Sequence, residues 1–188
     1  MKFNAALLAA AILAWPMTAA VAAPTPASVP APAPAVDPAL SPQANAAYLA
    51  ANAKKLGVIV KADGLQIKIV QSGFGKRPAA TDTVEVYYTG ALINGAVFDG
   101  TSPGLPASFK VNEVIPGWTE ALQLMREGDH WQLVIPSNLG YGARGAGKAI
   151  PPDQVLIFDM TLVSTTPAPR RGEPGYIPDP NDPEDKEK

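Results

Sequence analysis

The chain has 188 residues and a formal net charge of −2, enough for one ordinary domain with tails and too balanced to point to nucleic acid or an anionic membrane. It contains no cysteine, which excludes a disulfide framework, a lipid anchor on cysteine and thiol chemistry. Its 21 prolines gather toward the ends, so the folded part is expected to be shorter than the chain.

Residues 1–22 read as a cleavable signal peptide. Lys2 gives a basic start, Ala5 to Trp15 an apolar run, and Ala20-Val21-Ala22 a small-residue cleavage site. The competing reading is an uncleaved anchor helix. Pro16 interrupts that helix, and the run is short for a span of about 20 residues. Residues 23–40 alternate Ala and Pro and read as an extended polyproline-type linker.

Residues 41–64 read as one short helix and a connector. Ser41 is expected at the N-cap and Pro42 at the first helical position. The helix is expected to run to about Leu56, with Gly57 as its stop and Leu49, Ala53 and Leu56 on one face.

From residue 65 the hydrophobic period changes to two. Leu65, Ile67 and Ile69 point one way, and Val84, Val86 and Tyr88 share a face. Asn94-Gly95 signals a tight hairpin, and Ala107 to Val111 reads as a further strand. Trp118, Leu122 and Met125 recur at helical spacing after Pro116, with Gly128 as the stop. Pro116-Gly117 is expected to turn the chain sharply. Trp131, Leu133 and Ile135 alternate in the next strand, and Leu156, Phe158, Met160 and Leu162 in the last. The pattern predicts an α+β domain over 65–164, an antiparallel, strongly twisted sheet of about five strands around one helix. Residues 165–188 read as a disordered, Pro-rich charged tail.

Two phosphate-binding motifs are decoys. Gly140 to Gly145 spells G-x-G-x-x-G, and Gly142 to Lys148 is a near Walker A. Both need a helix immediately after them, which Pro151 and Pro152 forbid. His130 is the only histidine and is expected on a solvated strand face, so neither a metal site nor a Ser-His-Asp triad is supported. What remains is an aromatic set, Tyr88, Phe98, Trp118, Tyr141 and Phe158, with Asp99 beside Phe98. Each aromatic taken singly reads as core, but hydroxyls in an apolar cluster need a partner or a purpose.

Five blocks in order carry a resemblance: V-Y-Y-T-G, N-G-x-x-F-D, F-x-V-x-x-V-I-P-G-W-x-E-A-L, L-G-Y-G and I-P-P-D-x-x-L-I-F-D-M-x-L. Together they resemble the FK506-binding-protein (FKBP) type of peptidyl-prolyl cis-trans isomerase. The upstream Y-L-A-A-N-A-K-K-L-G-V is similar to the connector of the exported bacterial FkpA- and Mip-like branch.

The resemblance implies an isomerase pocket between helix and sheet, with Trp118 as its floor. Tyr88, Phe98, Asp99, Trp118, Tyr141 and Phe158 would be catalytic, and Val114, Ile115 and Ile150 would bind substrate. The Ile115 N–H and the Tyr141 hydroxyl would hold substrate carbonyls. No cofactor or metal is implied. The implied partners are Xaa-Pro segments of unfolded proteins and FK506- or rapamycin-type macrolides, met by a periplasmic or released monomer with no nucleic acid and no stable membrane anchor.

Two positions depart from the family pattern. Ala107 stands where many relatives have an aromatic, and Ala146 where the archetype has histidine, so altered substrate preference is expected. Rival readings are a proline-binding module without turnover and a secreted factor in which catalysis is incidental.

Overall fold

Period-two alternation builds one antiparallel sheet. Its strands are β1 (Val58–Val60), β2 (Gln66–Gln71), β3 (Thr83–Leu92), β4 (Val97–Gly100), β5 (Ala107–Lys110), β6 (His130–Ile135) and β7 (Leu156–Thr166). The spatial order is β1-β2-β6-β7-β3-β4, with β5 pairing the first half of β3. The computed structural model describes residues 37–169 and 173–176. The expected signal peptide and most of the expected linker lie outside the described residues, as do 170–172 and 177–188 of the expected tail.

The sheet holds seven strands rather than about five. Beyond the five alternating strands stand β4, which the hairpin signal implies, and β1, three residues long and paired with β2 through Ile59↔Ile67. Strand β1 falls inside the expected connector, so nothing separates the connector from the domain. The β3–β4 hairpin turns where Asn94-Gly95 predicts, with Gly95 at φ +85° and the Asn94 side chain accepting from the Ala96 N–H.

Helix α2 (Pro116–Leu124) lies against the sheet and supplies the core from its buried stripe, Trp118, Ala121 and Leu122, followed by Met125 at its C-cap. Facing it are Leu65, Val84, Val86, Leu133, Ile135, Leu156, Met160 and Leu162, all buried. Ile69, expected to share the inward face of β2, is 42% exposed, beyond the reach of this cover.

Gly117 corrects an expectation. It does not turn the chain but sits in the first turn of α2, where a Cβ would come 2.7 Å from the Ile135 side chain. The glycine is there for close helix–sheet approach. The change of direction falls at Ile115, the extended N-cap, and Pro116 starts the helix.

Helix α1 (Pro42–Asn52) begins as expected, with Ser41 Oγ accepting from the Ala44 N–H at 3.2 Å. It ends four residues short of Leu56, which is 96% exposed. The Lys54 and Lys55 N–H groups bond three residues back, to Ala51 and Asn52, and tighten the end into a turn.

The buried residues of α1 are polar, Asn45 and Asn52, not the expected Leu49, Ala53 and Leu56. Asn45 Nδ2 donates to the Leu40 carbonyl and to Gln154 Oε1, and its Oδ1 accepts from the Val155 N–H at 2.9 Å. Asn52 donates to Gln66 Oε1 at 2.9 Å, and Gln66 Nε2 donates back to the Leu49 carbonyl. Leu40 and the 3₁₀ turn Pro38–Leu40, expected as linker, belong to this knot, with Leu40 buried in the core. At the other end β7 runs to Thr166, past the expected limit of 164, and the Ala168 N–H is held by Asp82.

Candidate active site

The inner face of β3, the start of α2 and the middle of β7 converge on one aromatic cluster. Trp118, 4% exposed, stands at its centre. Its ring meets Tyr88 at 5.0 Å and 86°, Phe158 at 5.1 Å and 78°, and Phe109 at 5.5 Å and 89°. Phe98 meets Phe158 edge-on at 5.6 Å. Such edge-to-face pairs hold the rings in fixed orientation. Gly90 permits the arrangement, since a Cβ there would lie 2.7 Å from Phe98 and 2.8 Å from Phe158.

Above this floor opens a cavity of about 420 Å³. Tyr88, Phe98, Phe109, Trp118 and Phe158 form its base and walls. Glu113, Val114 and Ile115, from the turn and cap before α2, form one side, and Asp99 and Tyr141 complete the lining. Eight of the nine residues expected at the site are therefore brought together. Ile150 is not; it is buried at 4%, its backbone pairs with Ala146, and it belongs to the core.

Two lining residues escape the sequence reading, Phe109 and Glu113. Phe109 was legible in principle, because it shares a strand face with Ala107 and opens the third sequence block. Glu113 carries no such signal; it reaches the rim because a 3₁₀ turn, Val111–Glu113, links β5 to α2.

The polar groups are few. The Tyr88 hydroxyl donates to Asp99 Oδ2 at 2.7 Å, and Asp99 Oδ1 accepts from the Gly100 N–H. Burial, and then the hydrogen bond and charge of Asp99, push the Tyr88 phenol well above its ordinary pKa. Burial and Asp99 also raise Tyr141. Both phenols are therefore protonated donors near neutral pH. The Tyr141 hydroxyl and the Ile115 N–H have no hydrogen-bond partner among the described residues. The Trp118 indole N–H is buried and also has no partner among the described residues. The site is thus an apolar cup with uncommitted donors and no nucleophile–base pair.

Of the two decoy motifs only Tyr141 reaches it, and none of their glycines lines it. Residues 137–139 and 142–144 form 3₁₀ turns and no helix follows the glycines. His130 Nε2 lies 2.6 Å from Asp159 Oδ1 in an exposed pair, and Asp159 Oδ2 also accepts from Gln132. Neither His130 nor Gln132 lines the cavity.

Known proteins share this arrangement. The family model described as FKBP-type peptidyl-prolyl cis-trans isomerase matches residues 75–163. The chain is 50% identical over 123 residues to the outer membrane protein MIP of Legionella longbeachae, covering 65% of this chain and 53% of that protein. It is 53% identical over 117 residues to the FKBP-type 22 kDa peptidyl-prolyl cis-trans isomerase of Escherichia coli, covering 62% of this chain and 57% of the relative. The chain thus spans about half the length of these curated relatives. Among solved structures, a peptidyl-prolyl cis-trans isomerase from Pseudomonas syringae superposes with TM-score 0.63 at 40% identity, covering 66% of this chain and 92% of the other. FkpA from Escherichia coli superposes with TM-score 0.64 at 42% identity, covering 66% and 59%. The chain belongs to the FKBP-type peptidyl-prolyl cis-trans isomerase family.

Proposed function

We propose that this chain catalyses cis–trans rotation about Xaa-Pro bonds of exported proteins and so assists their folding. The observation that carries this reading is the apolar cup over Trp118, rimmed by the uncommitted Tyr141 hydroxyl and Ile115 N–H. Rotation faces a barrier of about 18–20 kcal/mol because the amide loses its resonance, and no bond breaks. A site of this kind needs no metal or cofactor. The proline ring enters the cup over the indole, and the walls strip water from the amide. Water favours the planar, charge-separated amide, so a dry wall favours the twisted one. Each 1.4 kcal/mol of preferential binding to the twisted state gives about tenfold in rate. Tyr141 and the Ile115 N–H hold the flanking carbonyls, and Asp99 orients Tyr88 and the mouth of the cup.

The same cup is proposed to take FK506- and rapamycin-type macrolides. The chain is proposed to act as a monomer in the periplasm, delivered by the signal peptide read in residues 1–22 and without a stable membrane anchor; release outside the cell is compatible with the same signal. No helix among the described residues is long and apolar enough to cross a membrane. The test is exchange NMR on an Xaa-Pro peptide with purified protein, with and without FK506. Acceleration abolished by the drug is expected. Drug binding without acceleration would replace the enzyme with a proline-binding module, and neither effect would end the assignment of the cup.

A further inference from the structure

The cup does not end at Glu113. A second depression of about 350 Å³ continues from it, sharing Phe109, Glu113 and Val114 and running on past Ser108, Lys110 and Thr83. This groove follows β5, which pairs with β3 on one side and with no strand on the other among the described residues.

The register fixes which backbone groups of β5 are spent. The Val111 N–H donates to the Asp82 carbonyl, and the pairs Thr83↔Lys110, Val84↔Phe109 and Glu85↔Ser108 continue in step from there. In an antiparallel ladder the direction of N–H and C=O alternates along the strand. Phe109 therefore points its backbone at β3, as Val111 does. Ser108 points its N–H and carbonyl outward along the groove, and Lys110 its N–H, the Lys110 carbonyl being taken by the 3₁₀ turn that it caps. An edge of this kind accepts an extended chain.

We infer that the polypeptide flanking the substrate proline lies along this groove as a short added strand, hydrogen-bonded to the outward backbone groups of Ser108 and Lys110. The inference rests on the reading of the cup as a proline site. The groove opens directly from that cup, so a chain whose proline sits over Trp118 enters it. The ligand is an extended, unfolded segment of several residues rather than a proline turn alone. Main-chain pairing is indifferent to side-chain identity, which suits a binder of many clients. A folded turn, whose own backbone groups are committed, is disfavoured.

The test compares a tetrapeptide containing Xaa-Pro with the same peptide extended by four residues on either flank. The full chain is used, with cis–trans exchange and amide NMR shifts as readouts. Extension on one flank is expected to raise kcat/KM about tenfold, the effect of one or two added hydrogen bonds. The Ser108 and Lys110 amides are expected to shift with it. N-methylation of that flank should remove the gain at alternate positions only. Equal kcat/KM for short and extended peptides would overturn the inference, as would a gain that survives N-methylation at every position. A shift of the Ser108 amide that follows protein concentration instead of peptide would assign the edge to a second copy and overturn it too. Failure of the tetrapeptide itself to be bound or turned over would strike the reading of the cup, whereas turnover without gain on extension strikes only the strand pairing.

Discussion

The Tyr88 hydroxyl donates to Asp99 Oδ2 at 2.7 Å, joining β3 to β4 at the mouth of the cup. The phenol is thereby a spent donor. Tyr141, raised by burial and by the same carboxylate but not hydrogen-bonded to it, is the phenol left for a substrate.

Tyr141→Phe should therefore reduce turnover with almost no change in melting temperature. The lost hydrogen bond is worth roughly 1 kcal/mol, about fivefold in kcat/KM. Unchanged kcat/KM would remove Tyr141 from the site.

Alkaline stability should report on Tyr88. Its folded pKa lies above the ordinary 10.0, so the folded state holds a proton that the unfolded chain releases. That contribution is intact below pH 10.0 and is lost as pH rises through the folded value. In urea melts above pH 10.0, Tyr88→Phe should lose stability less steeply than the parent chain. Parallel profiles for the two proteins would show that ionisation of the buried Tyr88 phenol is not the cause.

Trp118 is both floor and core. Trp118→Ala should cost about 3–5 kcal/mol and confound binding with folding. The informative variant is Trp118→Phe, which keeps an aromatic among Tyr88, Phe109 and Phe158. Calorimetry should show a folded protein whose macrolide affinity falls at least about tenfold. Full affinity would mean that the indole contributes packing alone.

Gly90→Ala should press on the cup from behind. The new methyl meets Phe98 and Phe158 inside 3.0 Å, so a ring must move. A destabilisation of about 1–3 kcal/mol is expected, with weakened ligand binding. A variant with the parent's melting temperature and affinity would show that the rings yield freely.

Much of the site was legible because it is written in alternation and in contiguous blocks. Val84, Val86 and Tyr88 face inward on β3 as their spacing requires, and Trp118, Leu122 and Met125 fall on the buried side of α2 and its cap. What hydrophobic pattern hides is burial of polar groups. Asn45, Asn52, Gln66 and Gln154 are buried because they satisfy one another and nearby backbone, which no local spacing encodes. For the same reason the end of α1 was misplaced. Its buried side is set by partners on β2 and in the loop before β7, so Leu49, Ala53 and Leu56 gave the wrong stripe. The motif places Ile150 at the cup, whereas its backbone pairs with Ala146 and its side chain is buried in the core cluster.

Asn45→Ala should be strongly destabilising although Asn45 lies outside the aromatic cluster. It strands the Val155 N–H and half of the Gln154 amide, each buried, at about 1–3 kcal/mol per unsatisfied group. Denaturant melts should show this loss, while kcat/KM per folded molecule stays at the parent value. A loss below about 0.5 kcal/mol would mean that water replaces the side chain at little cost.

The knot at Asn45 also dictates an order of events during synthesis. Asn45 leaves the ribosome early, yet its partners Gln154 and Val155 lie 109 and 110 residues later. Until they emerge, only the Asn52–Gln66 end of α1 can be held, and the helix is too short to persist alone. A nascent chain lacking β7 can thus neither close the sheet nor seat its first helix. Completion of the fold must wait until β7 has emerged to Thr166, so the sheet closes only when almost the entire domain is available.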